Sequence, residues 1–162
     1  MFNIKGAVGA AAILVGFSTL ALSDGERIDF PTHYKTSFTQ YWEGERANGK
    51  QYAITYANDV ALAAAKGGGI VADGGQIVME IYKLTEDGTA GDFVAVAVMQ
   101  NKAGWGADYA EDVRNGDWDF GVFTPAGKLK KADASSCLGC HLGYEETSYM
   151  HLYDQLAAKA GE

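Results

Sequence analysis

The sequence predicts a mainly β protein, an antiparallel sheet with a few short helices as the minor component. Three observations carry this expectation. Residues 51–56, 76–84, 93–99 and 118–123 are four runs rich in β-branched and aromatic residues, bounded by turn signals. The two longest, 76–84 and 93–99, are separated by the polar turn Thr85-Glu86-Asp87-Gly88, as antiparallel neighbours would be. Helical pattern is scarce, confined to an alanine-rich stretch near residue 60 and to the C-terminus.

Taken in order, residues 24–50 mix polar and aromatic side chains, with Phe30, Tyr34, Phe38, Tyr41 and Trp42. They read either as one amphipathic helix over 34–42 or as a packed entry segment, with the aromatic rings in the core. Ala47-Asn48-Gly49-Lys50 is a turn signal ahead of the first strand, 51–56. Asn58 is an N-cap, Asp59 complements the helix dipole, and the alanine-dominated residues 60–66 form a short helix that Gly67-Gly68-Gly69 stops. The glycine triplet follows a helix instead of opening one and has no Lys-Ser/Thr after it, so it is a linker and not a phosphate-binding loop.

Ala72-Asp73-Gly74-Gly75 turns the chain into the strand 76–84. Alternation puts Ile77, Met79, Ile81 and Lys83 on one face and Val78, Glu80, Tyr82 and Leu84 on the other. Residues 93–99 form a central strand, 103–109 and 114–117 an irregular loop, and 118–123 a further strand that ends in a turn at 125–127. A polar stretch, 128–136, precedes a terminal helix over 148–160.

The N-terminus sets the compartment. After Lys5 an uncharged apolar run from Ala7 to Leu22 ends at Ala21-Leu22-Ser23, which reads as a secretory signal peptide over residues 1–23. A retained membrane anchor is the competing reading, although the run is shorter than the roughly twenty residues that cross a bilayer comfortably. Residues 24–162 are then a single domain of ordinary size. Export makes the expected location the periplasm. Loss of Lys5 would take the net charge from −8 to about −9. That surface disfavours nucleic acid and anionic lipid, and suits either solubility or a basic protein partner.

The chemistry is concentrated in Cys137-Leu138-Gly139-Cys140-His141. Two thiols three residues apart with an imidazole directly after them are the attachment signature of one haem c. The cysteines form thioethers with the two vinyl groups, and His141 ligates the iron. Half of a zinc site is a poorer reading, because adjacent Cys140 and His141 are badly placed to share one tetrahedral metal. A redox-active dithiol would be expected near a βαβ pattern, whereas this pair lies only about twenty residues from the end. Thioether formation and export agree with each other and leave no disulfide to form.

The ordered set of Tyr56-Ala57-Asn58-Asp59, Ala72-Asp73-Gly74, Gly116-Asp117-Trp118-Asp119-Phe120 and a C-terminal Cys-x-x-Cys-His resembles the cytochrome P-460 family, which includes the gas-binding cytochromes c-prime-beta. The resemblance spans nearly all of residues 30–155. It implies an antiparallel β fold, commonly homodimeric, with His141 as the proximal ligand and a function divided between hydroxylamine oxidation and binding of nitric oxide or carbon monoxide. In the hydroxylamine-oxidising members a lysine on the long strand is cross-linked to the porphyrin, and the matching position here is Met79. A thioether cannot form that link. Lys83 lies on the same face, but about 13 Å further along the strand.

Met79 itself reads either as a core residue or as an axial ligand, which would give a His/Met iron suited to electron transfer. The gas-binding relatives cap the open face with aromatic rings, for which Phe93, Phe120, Tyr52 and Tyr56 are available. His33 and His151 read as surface histidines, and Glu80, Asp108 and Glu111 as candidate proton acceptors. Nothing in the sequence resembles a hydrolase. The expected function is therefore that of an exported monohaem cytochrome binding a diatomic gas or transferring single electrons with a redox partner. The alternatives are a hydroxylamine oxidoreductase and a haem subunit tethered to a membrane complex.

Overall fold

The computed structural model describes residues 26–130 and 134–162. The expected signal peptide or anchor, 1–23, lies outside these residues, as do positions 131–133 of the polar stretch. Among the described residues, no helix is long and apolar enough to cross a membrane.

Six strands form one antiparallel sheet in sequence order: β1 (Thr39–Glu45), β2 (Gln51–Ala57), β3 (Gln76–Leu84), β4 (Ala90–Asn101), β5 (Trp118–Phe123) and β6 (Leu129–Lys130). The expected mainly β class is observed. The predicted strands 76–84 and 118–123 match β3 and β5, and β4 extends the predicted 93–99 at both ends. Three elements were not expected: β1, β6 and a helix over Ala134–His141, part of which the sequence reads as a polar stretch. The terminal helix expected over 148–160 begins only at Tyr153. The segment 34–42 is not one helix: α1 covers only Tyr34–Ser37, and Tyr41 and Trp42 belong to β1. A register shift between Gln40 and Trp42 breaks the alternation there, hiding the strand. β6 is a two-residue edge pairing too short to leave a pattern.

The ladder keeps the alternation read from β3. Ile77 pairs with Ala57 and Met99, and Met79 with Thr55 and Ala97, so these residues share one face. The neighbours Val78 and Glu80 face the other way. On that second face Val78, Val96, Val98 and Phe123 pack under Ile28 and Tyr34 of the N-terminal segment. The first face is covered by α2 (Asp59–Lys66), α3 (Ala134–His141) and α4 (Tyr153–Ala160), through a core of Ala61, Ala65, Leu138, Leu156 and Ala160 against Ile77, Met99 and Phe120.

Asn58 joins three of these elements. Its Oδ1 accepts from Ala61 N at 3.1 Å, capping α2, and from Gln76 N at 3.0 Å at the start of β3, while Nδ2 donates to the Gly74 carbonyl at 2.8 Å. The expected cap is therefore also a strand anchor. Asn58→Ala should cost about 2 kcal/mol, the upper end for a cap, because two backbone donors lose their acceptor together. A thermal melt showing no loss would mean that water replaces both bonds.

Candidate functional site

A cavity of about 590 Å³ lies between the first face of the sheet and the C-terminal segment. This is the size of a cofactor site. Ile77, Met79 and Met99 line it from the central strands, Tyr41 and Trp42 from β1, and Cys140, His141 and Met150 from the C-terminal segment. The structure thus brings together Cys140, His141 and Met79, which are far apart in the chain. Cys137 packs beside the same core, half-buried, and neither cysteine is in a disulfide.

The local fold of the motif explains its presentation. Cys137 and Cys140 sit on α3 with helical i, i+3 spacing, so both thiols share one helix face. Asn115 is fully buried and donates through Nδ2 to the Leu138 carbonyl at 3.0 Å, tying the helix to the loop before β5. His141 ends the helix and lies 4.8 Å from the Phe120 ring, centroid to centroid. Its Nδ1 donates to the Tyr149 carbonyl at 2.6 Å. In the neutral ring this leaves Nε2 as the lone-pair nitrogen, the form in which histidine binds metals. Burial lowers the His141 pKa, opposed by the Tyr149 bond, and the His151 and Arg46 charges lower it further, so the ring stays neutral.

The acceptor for that bond is held by an unusual backbone. Ser148 and Tyr149 are consecutive non-glycine residues in the left-handed region, at φ 58° and 59°. Each such conformation costs of order 1–3 kcal/mol and needs support from its surroundings. Ser148, fully buried, supplies some of it by accepting from Val71 N at 3.0 Å. Gly116, also left-handed at φ 58°, leaves space beside the Tyr149 ring, which a Cβ would approach to 3.2 Å.

Several candidates named from the sequence lie elsewhere. Glu80 faces away from the cavity, where its carboxylate accepts from Tyr34, Tyr56 and Tyr82 and pairs with Lys35. Phe93 stacks on Tyr82 and Tyr52 pairs with Tyr82 in the ladder, so neither they nor Tyr56 caps the cavity. Asp108 pairs with Arg27 and Glu111 is exposed on a short 3₁₀ turn; neither lines the cavity. Lys83 pairs with Asp92 at 2.9 Å. His33 is exposed at the start of α1, whereas His151 lies at the cavity, with Nε2 3.5 Å from Cys140 Sγ.

Tyr41 and Trp42, expected in the core, are the aromatic cavity residues the sequence reading did not assign. Their signal was only the aromatic density of 34–42. Burial raises the pKa of the Tyr41 phenol, keeping it neutral beside the Thr55 hydroxyl.

The donor set fits a haem: two thiols on one helix face, a neutral imidazole with Nδ1 already satisfied, and an apolar sheet wall across a cavity of matching size. It does not fit zinc. Among the described residues, no group of three or more His, Cys, Asp and Glu side chains could hold a metal ion. In a comparison with protein-family models, residues 31–152 match the one described as Cytochrome P460. The search of curated proteins gave no match.

Proposed function

From the premise that the chain belongs to the cytochrome P460 family, and hence that it is a c-type haem protein, we propose that it is an exported monohaem cytochrome that binds a small diatomic gas such as nitric oxide or carbon monoxide. Cys137 and Cys140 hold the haem covalently and His141 Nε2 supplies the proximal ligand. When bound, the haem contributes an iron that takes up a small ligand and cycles between ferrous and ferric. The rest is the work of the chain. Tyr149 O fixes the imidazole, while Ile77, Met79, Met99, Tyr41 and Trp42 provide a largely apolar wall. That wall favours an uncharged diatomic over a hydrated anion, whose desolvation it does not repay.

The observation that carries this reading is that His141 and Met79 line one cavity from its two bounding layers. It also favours a second reading, in which the Met79 sulfur ligates the iron and the protein transfers single electrons. Hydroxylamine oxidation lacks comparable support, since Met79 occupies the expected lysine position and the nearby amine, Lys83, is paired with Asp92. Periplasmic export rests on the apolar run within residues 1–23.

Optical spectra of the purified ferric and ferrous protein, with and without carbon monoxide and nitric oxide, test the proposal. The expected result is an ordinary haem c spectrum that shifts on gas addition. A Met-to-iron charge-transfer band and no shift would replace gas binding by electron transfer. A strongly red-shifted ferrous Soret band with hydroxylamine turnover would overturn both.

A further inference from the structure

The cavity is polar along one edge. The turn between β1 and β2 contributes Glu45, Arg46, Ala47 and Asn48, whereas the sheet wall is mostly apolar. Arg46 is the one lysine or arginine among the described residues lining the cavity. It is half-buried and held from two sides: Nη1 donates to Gln51 Oε1 at 2.5 Å, and its backbone N to the Gln51 carbonyl at 2.8 Å. Asn48 Nδ2 donates to the same Gln51 Oε1 at 2.9 Å, and Asn48 Oδ1 accepts from Lys50 N at 3.0 Å. Gln51 thus anchors one guanidinium N–H as well as the Arg46 backbone before any ligand arrives, and a guanidinium has further N–H donors to offer another acceptor.

A haem carries two propionate carboxylates. Burying either against Ile77 or Met99 would cost far more than placing it at the polar edge. We propose that Arg46, positioned by Gln51, binds a propionate carboxylate of the haem at this edge. The inference rests on the haem reading above and adds the residue that orients the group within the cavity. A guanidinium fork matches a carboxylate in geometry and charge, and partial burial makes the pair stronger than an exposed one. Glu45 lies on the same edge and opposes the pairing, so the arginine must neutralise the propionate against a nearby negative charge.

The test uses the holoprotein with its covalent haem, through two readouts: the reduction midpoint potential and the propionate vibrational band in resonance Raman spectra. A cation beside the haem favours the ferrous state, so Arg46→Leu should lower the potential and shift the propionate band. Arg46→Lys should give a smaller change in the same direction. Gln51→Ala leaves the arginine present but unfixed, and should broaden or shift the band even if Arg46→Leu does not fold. Unchanged potential and propionate band in haem-loaded Arg46→Leu would overturn the proposal, leaving the haem reading intact. A change confined to the carbon monoxide stretching frequency would also overturn it, placing Arg46 over the iron. A wild-type protein that takes up no haem would sink the functional reading and this inference together.

Discussion

Glu80→Ala is expected to destabilise the protein by about 3 kcal/mol, although Glu80 lies on the side of the sheet away from the cavity. The carboxylate is 1% exposed. It accepts from Tyr34 at 2.6 Å, Tyr82 at 3.0 Å and Tyr56 at 3.3 Å, and Lys35 Nζ lies 2.5 Å from Oε1. Removing it leaves the buried Tyr34 hydroxyl without its acceptor, while the half-buried Tyr56 and Tyr82 hydroxyls lose theirs where water can partly replace it. Only a modest part of the loss would come from Lys35, which is more than half exposed and can return to water. Glu80→Gln, which keeps an acceptor oxygen, should recover part of it.

The same cluster sets the pH range of stability. Burial works to raise the Glu80 pKa, but the bonds from Lys35, Tyr34 and Tyr82 outweigh it and the net shift is downward. A carboxylate with a depressed folded pKa adds stability that is complete above its unfolded value and is lost as pH falls through the folded one. Stability should therefore decline from about pH 4.5 downward. The tyrosines act in the opposite sense. Burial and the Glu80 charge raise all three, Tyr56 to about 12. Their contribution is complete below pH 10 and declines as pH rises above it, that of Tyr56 being lost through about 12 and those of Tyr34 and Tyr82 later. Chemical denaturation across pH should show a plateau with two shoulders, and Glu80→Gln should reduce both. A wild-type curve flat from pH 3 to 6 would show that Glu80 does not carry the acid shoulder.

This cluster also shows what the sequence could and could not disclose. The alternation of β3 is regular from Ile77 to Ile81, because both faces are buried against different layers, and it assigned Met79 and Glu80 to opposite faces. Alternation does not say which face holds the cavity, so Glu80 reads as a candidate proton acceptor, whereas in the fold its carboxylate is taken up by the Tyr34 hydroxyl on the opposite side. Cys137, Cys140 and His141 were legible because covalent attachment imposes a fixed local spacing. Tyr41, Trp42 and Arg46 were not, since they reach the cavity only through the β1–β2 pairing, whose bulge erases the strand pattern. The backbone that holds the Tyr149 carbonyl was illegible for a different reason. Neither Ser148 nor Tyr149 is a residue type that announces a positive φ, and the buried contacts that sustain it come from Val71, far away in sequence.

Met79→Leu and His141→Gly are expected to separate the two sides of the haem site. Leucine nearly matches methionine in volume, so Met79→Leu should cost less than about 1.5 kcal/mol and keep the haem attached. It removes the only atom of that side chain able to ligate iron. If sulfur competes with the gas for the iron, each 1.4 kcal/mol of that competition lowers the apparent affinity about tenfold. Carbon monoxide affinity of the ferrous protein should then rise by roughly ten- to hundredfold in Met79→Leu if the electron-transfer reading holds, and stay within a few-fold if Met79 is part of the apolar wall of an open gas site. His141→Gly should act in reverse. Cys137 and Cys140 still hold the haem, but the imidazole that Tyr149 O orients is gone, and the ferrous spectrum and its reversible gas response should go with it. Adding free imidazole should restore part of that response, because the missing group is a neutral nitrogen donor. Unchanged carbon monoxide affinity in Met79→Leu would make Met79 a packing residue of the sheet wall. Gas binding that survives in His141→Gly without imidazole would show that the motif histidine does not hold the iron.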